Sequence, residues 1–178
     1  MSVTISGTSG ISIGGDPVAT DADLAALVTG KVLQVGSAIK TDTSSTTSTF
    51  YSDISGLSVT LTPSSSSSKF LLSGAAGLSV STTSGGPYAL VQLARDGTPI
   101  GSSSSATPNS GMANPQSGTR EFYTVSWAYV DSPNTTSPVT YTVQFRRAVA
   151  SCTVYVGRNG FSGTYYAPSY LTVMEVAA

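Results

Sequence analysis

The chain has 178 residues, 39% of them hydrophobic and only 10% charged, against about 25% charged in an ordinary soluble domain. Net charge is -1, His is absent and Cys occurs once. That inventory excludes an intrachain disulfide, a structural zinc site and His-dependent catalysis, and it offers no basic footprint for nucleic acid.

Ser and Thr together make up roughly a third of the residues. Thr packs well on a pleated surface, and Ser bonds nearby backbone groups in turns. The mean hydropathy of +0.13, with regular Val, Leu, Tyr and Phe, argues against disorder. The expectation is one all-β domain with a real core, preceded by a short arm. No run of 18 apolar residues occurs, so no membrane insertion is expected. "MSVTISGTSG" lacks the basic start and apolar run of a secretory signal.

Residues 1–30 are Gly- and Ser-rich and carry too little apolar surface for a core of their own. Within them, "TDADLAALVTG" predicts a short helix. Thr20 sits at the N-cap, Asp23 three residues on is a weak capping-box acid, and Leu24, Leu27 and Val28 share a face. Gly30 suits the position just past the helix. Such a segment needs a partner surface.

From Lys31 the pattern becomes strand and turn. "KVLQVGSAIK" is a first strand. "STFYSDI" is a second, with Phe50, Ser52 and Ile54 on one face, and "LSVTLT" alternates strictly. Pro63 ends the ladder. Ser64 to Ser68 then read as an exposed turn between two antiparallel strands, before "KFLLSGAAGLSVS". Gly74 to Gly77 in that strand predict close approach of another backbone, or a bulge. "YALVQLAR" leads to a two-residue hairpin at Asp96-Gly97. Residues Ser102 to Gly118 form a long polar loop.

"TREFYTVSWAYVDS" has large side chains on both faces. The expectation is that a sandwich interior covers one face and a sister subunit the other, with Val125, Trp127 and Tyr129 as interface residues. "PVTYTVQFRRA" and "CTVYVG" follow; Cys152 reads as a buried, inert thiol. "RNGFSGTYYAP" is an aromatic loop, and "SYLTVMEV" is the last strand. About nine strands at this spacing predict a jelly-roll-like β-sandwich, residues 31–178, behind the arm and helix of residues 1–30.

No catalytic constellation emerges. Asp21 and Asp23 sit where helix-start carboxylates are ordinary caps, and the remaining acids are scattered. "ISIGGDP" and "STTSGGP" lack the Lys and helix of a phosphate loop. No metal site and no cofactor are expected. A binding surface is expected at the aromatic loop, where Phe161, Tyr165 and Tyr166 offer rings and Arg158 and Asn159 offer donors. The alternative use of those rings is to plug the end of the sandwich.

In order along the chain, "DADLAALVTGKVLQV", "TPSSSSSKFLL", "LARDGTPIG", "YVDSPNTTSPVTYTVQFR" and "YLTVMEVAA" resemble tail-fibre-type proteins of tailed bacteriophages, notably phages of marine bacteria. The resemblance spans about Ile11 to the end. It implies a homotrimeric component of the virion surface that docks onto other virion proteins through residues 1–30. Its role would be to bind a host-surface glycan or protein. No extended shaft of repeats separates arm from tip. A short fibre, a fibre tip, a head fibre or a capsid decoration (cement) protein therefore fits better than a long fibre. A glycan-degrading spike ranks behind these. The resemblance supplies no catalytic residues.

Overall fold

Strict apolar alternation can be satisfied only by a strand with one face against a core. The computed structural model describes residues 3–6, 10–13, 16–19, 30–82, 89–101, 112–114, 122–148, 152–160 and 166–178. The first three segments are short strands: β1 (Val3–Ser6), β2 (Gly10–Ile13) and β3 (Asp16–Ala19). They pair antiparallel in a separate sheet, which the Gly/Ser composition did not announce. The helix expected over Thr20 to Gly30 lies outside the described residues, Gly30 excepted.

Eleven strands follow. They are β4 (Val32–Lys40), β5 (Ser44–Thr46), β6 (Ser52–Leu61), β7 (Lys69–Thr82), β8 (Ala89–Arg95), β9 (Thr98–Ile100), β10 (Met112–Asn114), β11 (Phe122–Asp131), β12 (Val139–Arg147), β13 (Cys152–Val156) and β14 (Ser169–Val176). One sheet runs β4-β14-β7-β13-β5, with β11 on the far edge of β7; the other runs β10-β8-β12-β6, with β9 also on β8.

Register reduces both sheets to a simpler form. On one edge of β7, β14 pairs Lys69 to Ala75 and β13 pairs Leu78 to Thr82, so the two lie end to end. Likewise β4 and β5 run in line along β14 and β13, and β10 and β9 in line along β8. Counting in-line strands once, each sheet has four positions. They are β4/β5, β14/β13, β7 and β11 in the first sheet, and β6, β12, β8 and β10/β9 in the second. The chain crosses between sheets at almost every connection, and this is a jelly roll.

The core lies between the sheets. Phe70, Leu72, Ala76 and Leu78 of β7 meet Val91 and Leu93 of β8 and Tyr141, Val143 and Phe145 of β12. Leu171 and Val173 close it from β14, and Cys152, Val154 and Val156 from β13; Cys152 is buried, as expected. The Asp96-Gly97 turn has positive φ at both residues, 49° and 79°, which matches the twist of a tight hairpin.

Three expectations need correction. "STFYSDI" and "LSVTLT" are not two strands: Ser52 to Leu61 is one, kinked at Gly56 with φ of 86°. The kink moves the inward phase from Ile54 to Leu57, and Phe50, expected on one face with Ile54, lies outside the strand and is 81% exposed. The serine run does not join paired neighbours. It carries the chain from β6 in the second sheet to β7 in the first. Finally, Val125, Trp127 and Tyr129 do not form an outer interface. Register sets them opposite Ala76, Gly74 and Leu72, all inward positions of β7. Val125 and Trp127 are buried in the chain's own core and Tyr129 packs against it.

Candidate functional site

β13 and β14 form one interrupted strand. The chain leaves the sheet after Val156 and rejoins it at Ser169, across a gap opposite Ala76 and Gly77. The ends of this excursion are tied together, as in an Ω-loop. The Gly157 amide donates to the Gly77 carbonyl at 2.9 Å, the Ala167 amide donates to the Gly157 carbonyl at 3.3 Å, and Arg158 forms an antiparallel bridge with Tyr166. Gly157 makes the exit possible. Its φ is 80°, and a Cβ there would lie 2.7 Å from the Asp42 carbonyl oxygen.

Arg158 to Gly160 lie back over β7. The Ser79 hydroxyl donates to the Arg158 carbonyl at 2.7 Å, and a Cβ on Gly160 would stand 2.9 Å from the Val80 carbonyl oxygen. Ser79 is thereby buried although it points away from the core. Arg158 is thus held by its main chain. Its guanidinium lies over the Tyr155 ring, 4.2 Å from the centroid. An open recess of about 280 Å³ is lined by Arg158, Tyr155, Thr43, Ser44 and Ser45. Register explains the meeting: Tyr155 pairs with Ser45 on β5, so both project from the outer face side by side.

Among the described residues no acid pairs with Arg158; the ion pairs there are Lys40–Asp42 and Arg95–Asp131. Asp42, next to Thr43, is engaged by the buried Lys40 at 2.8 Å. The hydrogen bond from Lys40 holds its carboxyl below the usual value. No carboxylate among the described residues lines the recess, and its guanidinium and hydroxyls suit an anion or a polyol. Among the described residues no cluster of three His, Cys, Asp or Glu side chains could hold a metal.

The predicted site residues fall as follows. Arg158 is central to the recess. Tyr166 is its bridge partner and 65% exposed, and Asn159 is buried rather than presented. Phe161 and Tyr165 lie outside the described residues, as does most of the Ser102 to Gly118 loop; of that loop Met112–Asn114 pairs with β8. Sequence reading missed Thr43, Ser44, Ser45 and Tyr155. Its only available signal was the alternation of "CTVYVG", which puts Tyr155 on the face opposite Cys152 and Val154. The Arg146-Arg147 pair serves structure. The Arg146 guanidinium lies 5.0 Å from the Tyr51 ring centroid, and Arg147 donates to the Cys152 carbonyl at 3.1 Å.

A second recess, about 240 Å³, opens beside Gln92 and is bordered by Leu93, Ile100, Trp127 and Tyr129. Gln92 is the one position on that edge of β8 between the residues paired by β9 and those paired by β10. Among the described residues the recess has no charged lining.

No family model matches the chain, and no curated protein matches it significantly.

Proposed function

We propose that this chain is a non-enzymatic structural component of a bacteriophage virion, a short fibre or fibre tip. Residues 1–30 attach it to other virion proteins, and the jelly roll is presented outward, as a homotrimer, for host-surface binding. One observation carries the binding role. A loop that interrupts an otherwise continuous strand holds Arg158, which has no ion pair among the described residues, on Tyr155 beside three hydroxyl residues. A half-buried arginine fixed in this way at the edge of an open recess is well suited to recognition. The sequence resemblance to tail-fibre-type proteins supports the virion setting.

A second reading, a capsid decoration or head-fibre protein, is favoured by the outer face of the first sheet. Cross-strand rows there read Val35, Met174, Leu71, Val130, then Ser37, Thr172, Ser73, Ala128, then Ile39, Tyr170, Ala75, Ser126. None of the twelve is charged. A flat, uncharged face of that extent suits a permanent protein contact.

Two measurements test the proposal. A cryo-EM map of virions should place the chain on the tail or its fibres; density on capsid capsomers would favour the decoration reading. Labelled wild-type protein should bind host cells, and Arg158→Ala should reduce that binding at least tenfold while leaving the melting temperature unchanged. Equal binding by both proteins would remove the recess from the host-binding role.

A further inference from the structure

We infer that the Arg158 recess takes a sugar unit bearing a carboxylate; this rests on the reading that the recess is the host-binding site. Four features point to that chemistry. The cation is a guanidinium, whose planar fork matches a carboxylate through two parallel N–H···O bonds. Tyr155 covers one face of the fork, at 4.2 Å, and fixes the plane in which an anion is met. Among the described residues no acid lines the recess, and the neighbouring Asp42 is engaged with Lys40. The rest of the wall is Thr43, Ser44 and Ser45, hydroxyls that both donate and accept and so match a polyol better than an aliphatic acid.

Size and charge narrow the choice. A cavity of about 150 Å³ holds a benzene ring, so the recess of about 280 Å³ has room for one substituted six-membered ring. A phosphate ester carries more charge and is generally met by several donors, such as a nest of backbone amides or more than one cation. Among the described residues Arg158 is the one charged residue of the lining, which suits a single negative charge. Tyr166, bridged to Arg158 and 65% exposed, is an aromatic side chain available to the next unit of a chain.

The test titrates the full-length protein with methyl glucuronide and methyl glucoside, which share a ring and differ in the carboxylate, and with glucose 6-sulfate. Calorimetry or NMR reads the affinities. The glucuronide should bind at least tenfold more tightly than the glucoside, and its binding should weaken as salt rises. Arg158→Gln should abolish that preference, and Arg158→Lys should retain only a small part of it, because the fork is lost while the charge remains. Circular dichroism confirms the fold of each variant. Should Arg158→Gln misfold, Ser45→Ala, at an exposed position, should still weaken glucuronide binding about threefold. Equal affinity for glucoside and glucuronide, or tighter binding of the sulfate, overturns the assignment. Cell binding measured in parallel separates the two claims. Cells bound without glucuronide affinity would sink the ligand class alone, and glucuronide affinity without cell binding would sink the host-binding reading alone.

Discussion

Asp131 shows how a nearly charge-free chain uses its few charges. Its carboxylate accepts from Arg95 at 2.7 Å and from the Tyr141 hydroxyl at 2.8 Å. Tyr141 is fully buried in the core, so this bond settles the one polar atom of that ring. Asp131→Ala leaves both donors without their acceptor and should cost about 2–3 kcal/mol in urea unfolding, whereas Tyr141→Phe should cost only about 1 kcal/mol. Burial, then the bond to Asp131, raises the Tyr141 phenol well above its ordinary value of 10.0. The unfolded chain therefore gives up this proton first. Stability should be intact below pH 10 and fall as pH rises beyond it. Tyr141→Phe should flatten that alkaline slope; a slope unchanged by the substitution would assign it to other groups.

Glu175 is the acid counterpart. Burial opposes its charge, yet the hydrogen bonds it accepts, from Gln34 and from the Ser64 amide and hydroxyl among them, outweigh burial and lower its pKa. Its contribution is present above the ordinary value of 4.5 and is lost as pH falls through the lowered one. The first serine of the run "SSSSS" is thus an anchor, fixing the crossing between sheets to the last strand.

At the scale of elements, β7 organises the first sheet, and its glycines are the condition for that. A Cβ on Gly74 would stand 2.7 Å from the Trp127 ring, and one on Gly77 would fall against Phe122. The small residues at these two positions let β11 lay its aromatic side chains across β7. Trp127→Ala empties this contact and should cost about 3–5 kcal/mol, read as a lower denaturation midpoint. Because Trp127 is 6% exposed within its own chain, the loss should appear in folding and leave the subunit count of the surviving folded protein unchanged. A folded, fully stable monomer from Trp127→Ala would return this residue to an interface.

The whole molecule combines a low charge content with an outer face of the first sheet whose three rows across β4, β14, β7 and β11 are uncharged. If copies associate through those rows, a charge placed on them should separate the copies without touching the core. Val130, 57% exposed, is a suitable position. Val130→Glu should convert a trimer, measured by light scattering, to monomers with a circular dichroism spectrum unchanged. A wild-type monomer at micromolar concentration would end the trimer proposal. The arm is tested separately. Deleting residues 2–29 should leave the jelly roll folded, since its core draws on residues from Ala38 onward. The shortened protein should no longer enter particles, and normal incorporation would show that attachment lies elsewhere.

Composition and alternation by themselves determined the all-β class, the sandwich, the hairpin at Asp96-Gly97, the two-residue alternation of β12 and β14, and the need for small residues at Gly74 to Gly77. These are local properties: a period of two, a turn that requires positive φ, a strand with no room for side chains. Tertiary structure alone decided how the pieces meet. It made Ser52 to Leu61 one bulged strand, because a glycine at positive φ is compatible with either a turn or a bulge. It turned Val125, Trp127 and Tyr129 inward, because register with β7, set by contacts far away in sequence, chooses which face is covered. It assembled the recess, because Ser45 and Tyr155 become neighbours only when β5 pairs with β13, 110 positions later in the chain (155 minus 45). Arg158 could be nominated from its place in an aromatic loop. Its partners could not, since hydroxyl residues are everywhere in this chain and only pairing distinguishes the three that line the recess.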